Sequence, residues 1–234
     1  MIVDTIATGS KLNWLATCWG ALLLVASAPR AAAAPSCDEL SISAARALPL
    51  GSQVTIEGTV STPSGVFASS FFDAGFGIQD RRAGIYVSVA ANPEVVPGDR
   101  LRVTGVLADS YGLLVLIPNG ATDIQEVGAG HPPAADRVDT GSIGESTEGV
   151  LVAVKGRVTQ APVSDLPYGY KFEVDDGSGE LQIFVNVDTG IDLSSIAVGR
   201  KIKVTGLSSQ FEDHYEIDPR FPQDVVLLPR NDGP

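Results

Sequence analysis

The stretch VTIEGTV, from Val54 to Val60, recurs 98 positions later as VAVKGRV, from Val152 to Val158. In both copies apolar residues alternate with other residues, a pattern typical of a β-strand that buries one face. A glycine interrupts both copies at the same place, which indicates a bend or bulge where a sheet curls. The stretch GDRLRVTG, from Gly98 to Gly105, likewise recurs 101 positions later as GRKIKVTG. Segments that repeat in fixed order at nearly constant spacing indicate two copies of one β-rich domain.

Each copy contains about five predicted strands. A long strand is followed by two strands around a turn (80–84 and 176–180), then by two around a second turn (109–112 and 210–213). A connector without strand character lies between the third and fourth strands, and glycine bends occur in the first and fourth. This is the plan of a small closed Greek-key barrel, the OB-fold. We therefore predict an all-β chain of two tandem five-stranded Greek-key OB-fold barrels; a β-sandwich, the alternative, usually needs seven strands.

The first 34 residues have the pattern of a secretory signal peptide. Lys11 precedes a short apolar run from Trp14 to Ala26, and small residues follow from Ala31 to Ala34. The run is too short for a stable membrane span, although an uncleaved anchor is the alternative. We expect a secreted or periplasmic protein in which Cys37 is the cysteine that remains after cleavage, either idle or paired with another chain.

The other segments follow from composition. Residues 38–127 are predicted to form the first barrel, with a short helical lead-in that Ser41 or Asp38 caps. Residues 128–146 are rich in Gly, Pro and Ala and are predicted to be a linker, with one short extended piece at 137–138. Residues 147–230 form the predicted second barrel, and 231–234 a frayed tail.

The chain is acidic throughout. Its net charge is -12, and removal of residues 1–34, which hold Asp4, Lys11 and Arg30, makes it -13. Acidic residues outnumber basic ones by 8 to 4 in residues 47–127 and by 13 to 8 in residues 147–230. Neither copy carries the basic excess that binding to a phosphate backbone favours.

The chain resembles bacterial exported tandem OB-fold proteins often described as nucleic-acid-binding, including the OB modules of secreted nucleases of the YhcR type. The resemblance rests on VTIEGTV, GIQDRRAGIYVSV and GDRLRVTG in the first copy, and on KFEVDDGSGELQIFVNV and KVTGLSSQFEDHYEIDPRFPQDV in the second. It covers residues 47–228 and implies a binding module for single-stranded nucleic acid. The first copy departs from the pattern: it has LLVLIPNG where the second has HYEIDPRF, and Asn119 in place of Arg220.

In OB-folds, ligands lie across strands 2 and 3, between the loop that joins strands 1 and 2 and the loop that joins strands 4 and 5. Aromatic and basic residues at these positions are the candidate ligand-binding residues, since stacking on rings holds single strands. In the first copy they are Phe67, Arg81, Arg82, Tyr86 and Tyr111. In the second copy they are Tyr168, Tyr170, Lys171, Phe184, Phe211, Tyr215 and Arg220.

Tyr86 and Phe184 occupy equivalent positions, 98 residues apart. Their neighbours on each strand are predicted to point into the barrel, so both rings are predicted to face outward. The alternative for these aromatic residues, and for Phe71, Phe72 and Phe172, is that they close the barrel ends or form the contact between domains.

The sequence offers little for catalysis, metals or cofactors. No nucleophile elbow, HExxH motif, Cys/His metal set or phosphate-binding glycine loop is present, and His131 and His214 are the two histidines. Asp175, Asp176 and Glu180 surround two glycines, which suits calcium but equally a tight hairpin turn, and we favour the turn. We predict a non-enzymatic binding module without cofactor or metal; the alternative is a structural protein that binds an envelope protein or a glycan.

Overall fold

The computed structural model describes residues 39–229. The predicted signal peptide, Cys37, the Asp38 cap and the predicted tail lie outside the described residues. Within residues 39–229, helices are too short or too polar to cross a bilayer.

The first barrel is a seven-stranded sheet that closes on itself. Strands β2, β3, β4, β6 and β5 follow one another in space, and β2 also pairs with β5 to complete the barrel. β1 adds to β2 in parallel, and β7 adds to β5. The elements are β1 (Glu39–Leu40), α1 (Ile42–Arg46), β2 (Gln53–Thr62), β3 (Phe76–Gln79), β4 (Gly84–Val87), β5 (Asp99–Ser110), β6 (Leu113–Ile117) and β7 (Ile124–Ala129).

The second barrel repeats this topology. Strands β9, β10, β11, β13 and β12 follow one another, β12 pairs with β9 to close the barrel, and β8 and β14 flank it. The elements are β8 (Asp136–Arg137), β9 (Leu151–Asp165), β10 (Gly169–Asp175), β11 (Leu181–Asn186), β12 (Lys201–Phe211), β13 (His214–Asp218) and β14 (Val225–Leu227). Short 3₁₀ turns span Ala121–Asp123, Thr140–Ser142, Val187–Thr189 and Pro222–Asp224.

The predicted fold is confirmed: both copies are OB-fold barrels of five strands in the order 1-2-3-5-4, to which two short strands are added. The alternating apolar residues fill each interior, as predicted, with Val54 and Ile56 in one core and Val152 and Val154 in the other. At the repeated glycine of the first copy, the facing strand comes too close for a side chain. A Cβ on Gly58 would lie 2.9 Å from the carbonyl oxygen of Gln79 on the facing strand.

Each barrel begins with a capped lead-in. Ser41 caps α1, as predicted, by accepting a hydrogen bond from the amide of Ala44. Asp80, in the β3–β4 turn, accepts from the amide of Ile42 at 2.9 Å. Asp176, in the β10–β11 turn, accepts from the amide of Thr140 at 3.1 Å in the same way. The repeat therefore extends upstream of the first barrel strand in both copies.

The predicted linker, residues 128–146, is not a structureless segment. It begins inside β7, and β8 pairs in parallel with the start of β9. Val138 and Ile143 pack against the core of the second barrel. The predicted extended piece at 137–138 lies within one residue of β8, whereas no apolar period indicated that Val138 and Ile143 pack on the core.

The two barrels belong to one compact unit and share a buried junction. Arg46 donates to Glu148 at 3.0 Å, and the side chain of Glu148 is only 1% exposed. The side-chain oxygen of Gln79 accepts from the amide of Leu151 at 2.9 Å. Charged, polar and backbone contacts at this junction hold the barrels in one relative orientation.

Candidate functional site

The second barrel covers the outward face of β3 and β4, which are the second and third barrel strands of the first copy. Tyr86 lies outside the barrel core, as predicted, but it is 1% exposed and clusters with Leu113, Val115 and Leu207. Its hydroxyl donates to Asp73 at 2.8 Å, and burial raises the pKa of the phenol. The prediction that Tyr86 offers an open binding face is therefore wrong, because the alternation of the strand shows which side a ring takes but not what covers that side.

The fifth barrel strand, which is β6 in the first copy and β13 in the second, explains why the two barrels differ. At an offset of 101 residues, Leu113, Val115 and Ile117 on β6 correspond to His214, Glu216 and Asp218 on β13. The apolar set packs in the junction, whereas the ionisable set faces a cavity. One barrel thus uses this face for packing, and the other keeps it for polar contacts.

That cavity is a groove of about 380 Å³ between the barrels. We call it the inter-barrel groove. It lies over the outward face of β10, β11 and β13. The β2–β3 loop and the β5–β6 loop of the first barrel form its opposite wall. Its lining contains Phe67, Phe72, Tyr111, Asp165, Tyr168, Lys171, Gln182, Phe184, Asn186, Ser209, Phe211, His214, Glu216 and Asp218, among others.

Exposed aromatic rings form two pairs in the lining of the groove, each with one ring from each barrel. Phe72 and Tyr168 have ring centroids 5.9 Å apart, and Tyr111 and Phe211 stack at 6.1 Å. Phe72, the most accessible of the four, is 74% exposed. The second pair forms because the two 4–5 hairpins meet: the amide of Glu212 donates to the carbonyl of Tyr111 at 2.6 Å.

The floor of the groove is a polar row on adjacent strands. Gln182 and Glu216 are paired in register on adjacent strands, and the side-chain nitrogen Nε2 of Gln182 donates to Glu216 Oε2 at 2.6 Å. Hydrogen bonding to Glu216 raises the pKa of His214. Burial, followed by the nearby Glu216 charge, raises the pKa of Asp218 well above its ordinary value, which favours the neutral acid.

The groove carries little positive charge. Among the described lining residues, Lys171 is the one permanent cation, and its amine lies 3.7 Å from Asp165 Oδ1. Asp165 and Glu216 oppose it. Ligands that bind chiefly through rings and hydrogen bonds suit this surface better than ligands that bind through phosphates alone.

The twelve predicted site residues do not form one site. Phe67, Tyr111, Tyr168, Lys171, Phe184 and Phe211 line the groove, and Tyr86 lies beneath Phe67, their rings stacked at 6.2 Å. Tyr170 is exposed, but it alternates with Lys171 on β10 and does not line the groove. Tyr215 alternates with His214 and Glu216, and its hydroxyl donates to Glu145 at 3.3 Å.

Three predicted cations lie elsewhere. Arg81 and Arg82 are exposed in the β3–β4 turn and line a different cavity of about 720 Å³. Arg220 is bound to Asp224 through Nε at 2.9 Å and Nη2 at 3.0 Å, and it reaches the carbonyl of Ser61 in the first barrel at 2.5 Å. The expectation that these arginines join the rings is wrong, because OB-fold loops leave from both barrel ends and Arg220 stabilises the junction.

The predicted site residues do not include Gln182, His214, Glu216 and Asp218, which line the groove. The comparison of LLVLI with HYEID at alternate positions was the signal that could have found three of them. The acidic turn behaves as expected for a hairpin: Asp175 Oδ1 accepts from the amides of Gly177 at 2.7 Å and Gly179 at 3.2 Å. Residues 39–229 contain no cluster of three His, Cys, Asp or Glu side chains arranged to hold a metal ion.

Two barrels joined by a groove, with the repeat intact at every strand, invite comparison with known proteins. The chain is 25% identical over 209 residues to Endonuclease YhcR of Bacillus subtilis (strain 168). The chain is therefore similar to a part of YhcR. The match covers 86% of this chain but only 17% of YhcR, and it confirms the resemblance predicted from the repeated motifs. No family model matches the chain.

Solved structures share the architecture loosely. A murine DNA-binding protein bound to double-stranded DNA matches with a TM-score of 0.40 and 13% identity, over 77% of this chain and 99% of that one. Fission yeast Pot1 with single-stranded DNA matches with a TM-score of 0.39 and 10% identity, over 82% of this chain and 88% of that one.

Proposed function

We propose that this chain is an exported, non-catalytic binding module that holds single-stranded nucleic acid in the inter-barrel groove. The observation that carries the proposal is the set of accessible rings lining the groove on the ligand-binding side of the second OB barrel. Phe184, Tyr168 and Phe211 come from the strands and loops that bind ligands in OB-folds generally. Bases stack on such rings whatever their sequence, with about 1–3 kcal/mol per base.

The rings are placed for an extended ligand. Phe72 and Tyr168 form one pair and Tyr111 and Phe211 another, while Phe184 lies on β11. A flexible strand can place successive bases on separate rings, whereas a duplex keeps its bases stacked and paired. This favours single strands over duplexes.

The similarity to a protein named Endonuclease YhcR supports a role in nucleic-acid binding. Because the chain spans 17% of its length, we propose that the shared part binds and that cleavage is carried out elsewhere. Within the groove, His214 is engaged by Gln182 at 3.0 Å and faces the carboxylate of Glu216. We propose that His214 positions Gln182 and Glu216 and adds charge to the groove, and that it does not carry out acid–base chemistry.

Low positive charge gives the proposal a distinctive signature. A protein that neutralises Z phosphates on a single strand shows a slope of about -0.7Z in log K against log salt. With Lys171 as the main cation, the slope is about -0.7, so affinity falls only about threefold between 50 and 200 mM salt. A typical phosphate-dominated binder loses several orders of magnitude over the same range.

Fluorescence anisotropy with a labelled ten-nucleotide DNA strand at both salt concentrations tests this. We expect micromolar binding, the shallow slope, and weaker binding of the matching duplex. Phe184→Ala should weaken binding by about 5- to 150-fold, the equivalent of one stacked base. The matched control is Tyr170→Ala, which removes an exposed ring from the same barrel outside the groove.

Absence of binding to any single strand at tens of micromolar protein in low salt contradicts the proposal. A second candidate is a neutral oligosaccharide, which OB-folds also bind. It is favoured by the acidic floor formed by Glu216 and Asp218. Binding to a glycan array, together with no binding to DNA, would select this candidate.

A further inference from the structure

Resting on that proposed function, we propose that Gln182 and Glu216 form a base-reading pair that selects guanine in the bound strand. This pair supplies specificity, whereas the rings and Lys171 supply sequence-independent binding.

The pair lies within reach of a stacked base. Gln182 and Phe184 are two residues apart on β11 and face the same side of the sheet. Residues i and i+2 on a strand are about 7 Å apart. A base stacked on Phe184 therefore extends one edge towards Gln182 and its partner Glu216 on β13.

The two side chains offer a carboxylate acceptor beside an amide donor. Glu216 accepts from the amide nitrogen of Gln182 at 2.6 Å. A carboxylate can accept two parallel N–H groups. The second hydrogen of the Gln182 amide nitrogen points to His214 Nε2 at 3.0 Å, and it becomes available to a base when a base carbonyl replaces the imidazole as acceptor. The pair thus presents a donor next to a two-fold acceptor.

Guanine has the complementary edge. Its Watson–Crick edge carries two adjacent donors, N1–H and the N2 amine, beside the O6 acceptor. Glu216 can accept both donors while Gln182 donates to O6. Adenine and cytosine each place a ring acceptor where Glu216 needs a donor, and thymine has a single donor between two acceptors. Side chains read the free edges of single strands in this way.

Asp218 independently indicates that a polar group approaches the floor. It lines the groove, is 8% exposed, and its Oδ1 has no hydrogen-bond partner. A buried acceptor without a partner is costly unless a ligand or water satisfies it. Because Glu216 is an acidic group in this floor, the floor disfavours phosphates and favours base edges.

The reading pair belongs to the second barrel alone. At the offsets of 98 and 101 residues, Gly84 and Val115 stand in place of Gln182 and Glu216. Neither has a side chain that can hydrogen-bond a base, and Val115 is fully buried. We therefore expect one guanine to be read for each chain.

The experiment measures anisotropy of labelled nine-nucleotide thymine strands with guanine, hypoxanthine, adenine or cytosine at the centre. We expect the guanine strand to bind about tenfold or more tightly than the adenine and cytosine strands. Hypoxanthine lacks the N2 amine and should bind with intermediate affinity. This comparison needs no protein variant and does not depend on the folding of one.

Glu216→Gln should abolish the guanine preference, so that the guanine strand binds no more tightly than the adenine and cytosine strands. Glu173→Gln is the matched control, since Glu173 is the register partner of Gln182 on β10 but does not line the groove. It should leave the preference intact. Thermal melting of both variants verifies that they are folded.

Equal binding of the four strands, or preference for adenine or cytosine, overturns the reading pair and leaves the binding function standing. Preserved guanine preference in Glu216→Gln also overturns it. Failure of every strand to bind overturns the proposed function itself.

Discussion

Gly84→Ala tests whether the junction between the barrels sets the geometry of the groove. Gly84 begins β4, and its backbone lies against Gly149 just before β9. A Cβ at Gly84 would overlap the carbonyl of Gly149 and lie 2.9 Å from the amide nitrogen of Val150. The obstacle is backbone on the opposite barrel, so no side chain can rotate to make room.

The magnitude follows from this geometry. Ordinary carbon contacts are about 3.5–4.0 Å, so the barrels must separate locally by more than about 1 Å. Overpacking costs about 1–3 kcal/mol, and rigid backbone on both sides places this substitution at the upper end. For a unit of this size, a loss of about 3 kcal/mol lowers the melting temperature by about 6–12 °C.

Thermal melting and urea denaturation of the wild type and Gly84→Ala measure the effect, and single-strand binding reports on the groove. Gly120→Ala is the matched control because a Cβ there meets nothing within 4 Å, and Gly120 has extended backbone with φ of -176°. A melting temperature for Gly84→Ala within about 1 °C of the control would refute the reasoning, since the two backbones would then not be in contact in solution.

Two further substitutions test charge. Arg46→Ala should lower the free energy of unfolding by about 3–5 kcal/mol in urea melts, because it leaves the buried Glu148 carboxylate without its guanidinium; exposed Arg102→Ala, the control, should cost no more than about 1 kcal/mol. An equal cost for both would contradict the buried pair. His214→Gln tests pH dependence. Glu216 raises the folded-state pKa of His214, so its stabilisation is complete below the unfolded pKa of about 6.5 and disappears as pH rises through the folded value. Glu216, Asp213 and Gln182 face this ring, with Glu173 nearby on β10. Wild type should therefore exceed His214→Gln in stability and in DNA affinity at pH 5.5 but not at pH 8.5, and a pH-independent difference would refute the linkage.

Much of the barrel architecture could be predicted because it depends on patterns of neighbouring residues along the chain. Alternation in VTIEGTV shows which face of the strand is buried. The repeated glycines and the spacing of turns indicate where strands approach closely and where they end. The added strands β1, β7 and β14 could not be predicted in this way, and β8 was predicted only as a short extended piece. They pair at barrel edges with too few residues to show a period.

The candidate site was only partly predictable, and Tyr86 shows why. Its side of the strand followed from the alternation, but the covering residue Leu207 lies more than a hundred positions away on the other barrel. Arg220 is the second example: a corner arginine suggests ligand charge, whereas the fold places Asp224 and the Ser61 carbonyl around it.

The sequence alone determined that two OB barrels exist, since strand periodicity and internal repetition need no knowledge of long-range contacts. It also determined how they differ, as HYEID replaces LLVLI at the outward positions of strand 5. Only the tertiary structure decided which faces are open. Docking of the barrels buries Tyr86 and Val115, while Gln182, Phe184 and Glu216 line a groove. That choice depends on shape and contact between distant segments, which the pattern along a strand does not contain.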